Sequence, residues 1–232
     1  MAIIVGDLHG DLEKAKAFLD YNPGVLHIAL GDYLDSSIVS PQKQLECLQI
    51  LLKSDAVLLL GNHEVHYLKE SLVHFSGYNI DYAQTFQTIL ESNIRRFKVS
   101  YAVDGWLLTH AGFNEREIDK YWDDVGGKLV RVKRMRCKKA DAIAKYLQNE
   151  FELFLINRFI IKDVPYTYRS IFCYNYLEDV AFISPKIGQI FGHVEHPKPK
   201  VQMNYIALDT TNLSDSCWLY DTEHCELVQL QL

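Results

Sequence analysis

Short apolar runs recur along the chain, and several break off at a glycine followed at once by acids, amides or imidazoles. Ala2–Val5 (AIIV) ends at GDLHGD, Val25–Leu30 (VLHIAL) at GDYLD, and Ala56–Leu60 (AVLLL) at GNHE. Later, Trp106–Thr109 (WLLT) runs into HAG, and Gly188–Phe191 (GQIF) into GHVEH. Runs this short, built from branched apolar residues, predict buried strands. Among the first three of them, Asp11–Tyr21 and Pro41–Lys53 carry apolar residues at helical spacing, the second with proline where a helix starts. Alternation of strand and helix predicts an α/β layered fold.

The rest of the chain reads differently. VQMNYIALDTT, SCWLYD and ELVQLQL are strand-like and separated by turns. They predict antiparallel strands closing a sheet edge. Residues 114–186 match neither pattern: Asp141–Phe159 predicts an amphipathic helix, flanked by a basic run (KLVRVKRMRCKK) and a tyrosine-rich stretch. We take 114–186 as a mostly helical insertion in a single domain spanning 1–232.

Composition narrows the class. With 48% hydrophobic and 23% charged residues in a chain of 232, one domain with a sizeable core is expected. The net charge of −6 argues against a nucleic-acid partner, since such binders carry a basic excess. Five cysteines, with no C-x-x-C spacing, disfavour a disulfide framework or zinc ribbon and fit a reducing compartment. The first residues lack the basic start and long apolar stretch of a signal peptide, and no apolar run approaches the ~20 residues that span a membrane. The expected location is the cytoplasm, with no membrane partner.

The strand ends hold the chemistry. Carboxylates, imidazoles and an amide are hard to borderline metal ligands. Ligands of α/β folds gather outside the carboxyl ends of strands. Each cluster alone is a solvated turn or a satisfied histidine; together they suggest one shared site. Asp11 reads as a helix N-cap before LEKAKAFL, His27 as structural, and His66 as a helix-surface residue. The tyrosines at 166, 168, 174 and 176 read as packing residues before base-stacking ones.

The ordered set GDLHGD, GDYLD, GNHE, HAG and GHVEH resembles the calcineurin-like metallophosphoesterases, nearest the serine/threonine protein phosphatase branch with its bacterial and phage relatives. The tail IALDTTNLSDSCWLYD resembles the family's closing strand and hairpin. The resemblance implies a four-layer α/β/β/α sandwich with a helical insertion, and two divalent metal ions, with manganese favoured and iron or zinc as alternatives. It places Asp7, His9 and Asp32 on the first metal, and Asp32, Asn62, His110 and His193 on the second. Asp32 would bridge, and two neighbouring cations do need a shared anion. His63 falls at the position of the general acid, Asp35 at the carboxylate that orients it, and Glu64 at a buttress. Two departures stand out. Ser36-Ser37 replace the Arg-Gly whose arginine grips phosphate in many relatives, leaving Arg134, Arg136 and Arg169 as candidate replacements. His196 follows His193 at H-x-x-H instead of H-x-H spacing.

The implied activity is hydrolysis of phosphate esters, first as a phosphomonoesterase acting on a phosphorylated protein. A symmetrical dinucleoside tetraphosphatase or other nucleotide hydrolase is the alternative, and an inert metal-binding scaffold a further one. Oligomeric state is not legible in the sequence.

Overall fold

The computed structural model describes residues 1–68, 74–113, 140–149, 172–177, 187–211 and 216–232. Two sheets lie face to face among these residues. The first is built on β1 (Ala2–Val5), β2 (Leu26–Ala29), β3 (Val57–Leu59) and β4 (Phe97–Lys98), all parallel, with β10 (Cys217–Asp221) and β11 (Glu226–Leu230) antiparallel at one edge. The second holds β5 (Tyr101–Val103), β6 (Trp106–Leu108), β7 (Gly188–Phe191), β9 (Tyr205–Ala207) and β8 (Lys200–Val201), in that order. Its centre, β6-β7-β9, is parallel.

Period-two alternation explains why β1 is apolar throughout. Ile3 and Val5 face outward into a cluster with Phe18, Leu48 and Leu51 from helices α1 (Leu12–Asp20) and α2 (Pro41–Lys53). Ala2 and Ile4 face inward, where they meet Ile28, Leu30, Leu108, Ile190 and Ile206 between the sheets. The helical residues 140–149 cover the outer face of the second sheet, packing Ala140 and Ile143 on Leu107 and Ile187. The order is therefore helix, sheet, sheet, helix, as the expected four-layer sandwich requires.

The start of α1 follows side-chain chemistry. Asp11 caps α1 as expected, accepting from the backbone N–H of Glu13 and Lys14 at 3.1 and 3.0 Å. His27 is structural: its ring nitrogens sit 2.8 Å from the carbonyls of Val25 and Tyr21.

VQMNYIALDTT divides between two strands of the second sheet: Val201 ends the antiparallel edge strand β8, while Tyr205–Ala207 form the inner strand β9; SCWLYD and ELVQLQL close an edge of the first sheet as antiparallel strands. Parallel pairing of β9 with β7 buries Ile206 and Ala207, which an exposed edge would not. Helix α4 (Ala83–Ser92) was not signalled by a strong apolar run, since Phe86 and Leu90 alone are fully buried on it. Most of the 114–186 insertion, including its basic run, lies outside the described residues.

Two outcomes follow. Ile190 is fully buried between the sheets. Replacing it by alanine should cost about 2–5 kcal/mol in denaturant unfolding; a loss below about 1 kcal/mol would mean that the interface is not close-packed. In the β10–β11 turn, Asp221 pairs with His224 at 2.8 Å, which lowers the carboxyl and raises the imidazole. Asp221 stabilises above 3.8 and loses its effect as pH falls through its lowered value; His224 stabilises below 6.5 and loses its effect as pH rises through its raised value. The Tm deficit of Asp221→Asn should therefore be largest between those two values and smaller at alkaline pH.

Candidate metal centre

Every parallel strand except β4 delivers polar residues to the same end of the sandwich. β1 leads to Asp7 and His9, β2 to Asp32 and Asp35, and β3 to Asn62 and His63. From the second sheet, β6 leads to His110, β7 to His193 and β9 to Asp209. Parallel pairing aligns these strand ends, so residues far apart in sequence meet.

Asp32 sits at the middle and is 2% exposed. Its Oδ1 accepts the His63 backbone N–H at 3.0 Å. That leaves Oδ2 facing the Nε2 atoms of His110 at 3.3 Å and of His9 and His63 at 3.9 Å each. Ligand atoms of Asp32, His110 and His193 lie within 4.8 Å of one another, as do those of His9, Asp32 and His63. Asn62 joins through its Oδ1, 3.0 Å from His110 Nε2. Asp7 accepts the His193 backbone N–H on both oxygens at 3.1 Å. The structure thus brings all eight sequence-derived site residues into one neighbourhood.

The backbone bends hard to do this. Among the described residues, seven non-glycine positions have positive φ, and four belong to the site: His9 (41°), Asp32 (50°), Asp35 (63°) and His193 (66°). Such conformations cost on the order of 1–3 kcal/mol each, and the surrounding contacts must hold them. Close approach also explains two motif glycines. A Cβ on Gly61 would lie 2.0 Å from Asp32 Oδ1, and one on Gly192 would lie 2.0 Å from Asp7 Oδ1.

Hydrogen bonds at the far sides of the rings set their tautomers. His9 Nδ1 is 2.7 Å from the Leu34 carbonyl, and His110 Nδ1 is 3.0 Å from that of Leu30. A carbonyl can only accept, so Nδ1 carries hydrogen in both rings, and in the neutral ring that a metal requires Nε2 turns a lone pair inward. The inward groups are then lone pairs of imidazole, carboxylate and amide meeting one another. That arrangement fits divalent cations, and its mixed N/O character suits manganese, iron or zinc better than calcium.

Burial would raise Asp32, but His110, His63 and His9, when protonated, hold it well below the usual carboxylate range; a divalent cation would take the place of those protons. Asp7 goes the other way: burial, Asp209 and Asp32 all raise it. Crowded buried carboxylates of this kind are what a cation relieves. Burial and the neighbouring His110 press His193 down to about 3, leaving a neutral ring. Glu64 is fully buried and ties the clusters together, accepting from the N–H groups of Asp32, Gly61 and Tyr33 at 2.9, 3.0 and 2.7 Å. Burial and Asp32 push it up to about 7.

His63 occupies a different station. Its Nδ1 is 2.9 Å from Asp35 Oδ2, while Nε2 looks toward Asp32. Burial opposes its charge, yet Asp32 and Asp35 together push the ring up to about 9.

Sequence reasoning missed two residues and misjudged one. Asp209, 4% exposed, stands beside Asp7 and accepts the Thr211 backbone N–H at 3.0 Å, while the Thr211 hydroxyl reaches the Asp7 carbonyl at 2.9 Å. Its signal was present: IALD repeats the pattern of an apolar strand ending on an acid. Gly77, a residue with φ of 89°, packs so that a Cβ would lie 3.1 Å from the Asp35 Cβ; nothing in its local sequence announces that. His66 is no surface residue, being 2% exposed, because α3 (Asn62–Val65) is a single turn and the chain folds over it. His196 stands outside the clusters of potential ligand atoms, and its Nε2 meets the Tyr176 hydroxyl at 2.5 Å. Tyr174 and Tyr176 pack with Phe191 and Tyr205, the packing reading. Arg134, Arg136 and Arg169, candidate phosphate grips, lie outside the described residues, as do Tyr166 and Tyr168. No helix among the described residues is long and apolar enough to cross a membrane.

Known proteins share this architecture. A candidate diadenosine tetraphosphatase is similar over 99% of this chain and 92% of its own, with a TM-score of 0.56 and 17% identity. A protein serine/threonine phosphatase from Saccharomyces cerevisiae, with similarity to human phosphatase PP5, is similar over 100% of this chain and 79% of its own, with a TM-score of 0.52 and 12% identity. At such identities the likeness is one of fold. No curated protein sequence matches the chain. The calcineurin-like phosphoesterase family matches residues 2–152, which carry β1 through β6 and the Asp7, Asp32, Asn62 and His110 strand ends, and to that family the chain belongs.

Proposed function

We propose that this phosphoesterase is a dinuclear-metal phosphomonoesterase of the serine/threonine protein phosphatase type. Asp7, His9, Asp32, Asn62, His110 and His193 are its metal ligands, and His63, oriented by Asp35, is its proton donor. The observation that carries the reading is the His63–Asp35 pair, 2.9 Å apart, with the other ring nitrogen turned toward Asp32.

Bound divalent cations would supply Lewis acidity toward phosphoryl oxygens and lower the pKa of a coordinated water. The chain's own residues do the rest. Asp32, its Oδ1 held by the His63 N–H, would help to hold both cations. The Leu34 and Leu30 carbonyls keep the His9 and His110 lone pairs aimed inward. Asp35 accepts the Nδ1 hydrogen of His63, which leaves Nε2 to deliver a proton to the departing oxygen.

Leaving-group chemistry favours a monoester of serine or threonine. An alkoxide is a poor leaving group and needs that proton. A nucleoside polyphosphate leaves as a stabler anion and needs it less. A dinucleoside polyphosphatase, the second reading, would also call for a base-stacking surface. The two described cap tyrosines are instead spent on packing against Phe191 and Tyr205.

The test compares wild type with His63→Asn in the presence of manganese. On an alkyl phosphate or phosphoserine peptide the variant should lose about 10²–10⁴-fold in kcat, and far less on an activated aryl phosphate. A variant equal to wild type on the alkyl ester would remove His63 as the acid. Dinucleoside polyphosphates turned over well ahead of phosphopeptides would favour the second reading. Metal-independent background rates with every ester would reduce the chain to a scaffold.

A further inference from the structure

Behind the His63–Asp35 pair stands a second imidazole. His66 lies one helical turn beyond His63, so both rings project from the same side of α3, with centroids 5.6 Å apart. Its side chain is fully buried among Tyr67, Tyr78 and Phe75. The Phe75 backbone N–H donates to its Nδ1 at 3.1 Å. Nδ1 therefore holds a lone pair and Nε2 the hydrogen. Nε2 lies 2.6 Å from Asp35 Oδ2, a close charge–dipole contact without the alignment of a full hydrogen bond.

Asp35 is thus gripped from several directions. Oδ2 sits between His63 Nδ1 and His66 Nε2. Oδ1 receives the Tyr67 hydroxyl at 2.5 Å, and that hydroxyl in turn accepts the Asn79 backbone N–H at 2.8 Å. The Asp35 backbone N–H donates to Gln44 Oε1 at 2.8 Å. Gly77 closes over the group, where a Cβ would lie 3.1 Å from the Asp35 Cβ. A carboxylate bound to His63 alone could rotate about its side-chain torsions and take the ring with it. Donors on both oxygens remove that freedom. The aromatic wall explains why an imidazole can serve here: it packs like a phenyl ring yet turns one N–H toward the carboxylate and one acceptor to the backbone.

We propose that His66 is a positioning residue for the reaction: at the same Asp35 oxygen that His63 uses, and with Tyr67 on the other oxygen, it locks the carboxylate, and so holds the His63 ring in the plane from which Nε2 reaches the leaving oxygen. This deepens the proposed function and rests on it. The competing role is architectural, with His66 merely anchoring the 74–79 segment through Phe75.

Two variants of the manganese-loaded enzyme separate these roles. His66→Phe keeps the packing and loses both polar contacts; His66→Gln keeps a donor. With an alkyl phosphate, His66→Phe should lower kcat about 10–100-fold with KM changed less than about threefold, and with 4-nitrophenyl phosphate the loss should be about fivefold smaller or less still. His66→Gln should recover most of the alkyl rate. In a crystal of His66→Phe the His63 ring should leave Asp35, and in His66→Gln it should stay. Equal fractional losses on both esters, no loss on either, or a His63 ring unmoved in His66→Phe would overturn the proposal. If wild type hydrolyses neither ester, the phosphoesterase reading fails by itself, and the crystal comparison alone then decides whether His66 positions His63.

Discussion

Asp32 keeps its charge in a place where burial opposes it, and most of the site is arranged around that fact. One oxygen is tied to the backbone of the segment carrying Asn62 and His63; the other faces imidazoles from three separate strand ends. Its own carbonyl receives the N–H groups of Leu8 and His9, binding β1's loop to β2's loop. Glu64 then holds the Asp32 N–H from beneath. Remove the carboxylate and three strand ends lose their common partner. The backbone strain at His9, Asp32, Asp35 and His193 is tolerable only because these contacts overdetermine it.

The sandwich serves this convergence. Parallel strands in both sheets put their carboxyl ends on one rim, and the close-packed layer of Ala2, Ile4, Leu30, Leu108 and Ile190 fixes one rim against the other. His110 donates across the gap to Leu30, and His193 to Asp7, so the sheets are joined by site residues as well as by apolar packing. Stability and chemistry therefore share atoms.

Much of this was legible in the chain itself, for a physical reason. A buried strand must be apolar, so an acid or imidazole just past its end is conspicuous, and glycine before it marks a close approach. Strands 2–5 and 188–191 and the polar clusters at the strand ends followed from that contrast, and helix 41–53 from its apolar spacing; the choice of eight candidate residues within those clusters came from the family resemblance. Asp209 shows the contrast too, at the end of IALD, but stood in a segment read as closing a sheet edge. The other unread features lack it. His66 looked like a surface residue because helical periodicity cannot foresee a helix of one turn. Gly77 acts through a contact with Asp35 across the fold, and no short stretch of sequence encodes it. His196, at unfamiliar spacing, took its partner from the distant Tyr176.

We propose that one carboxylate, that of Asp32, would serve two cations. Equilibrium dialysis against manganese, with metal counted per folded chain, tests it most directly. Wild type should hold two ions, and Asp32→Asn, still folded by circular dichroism, should hold less than one at the same free metal concentration. A variant that retains both ions, or a wild type that binds none, would contradict the account.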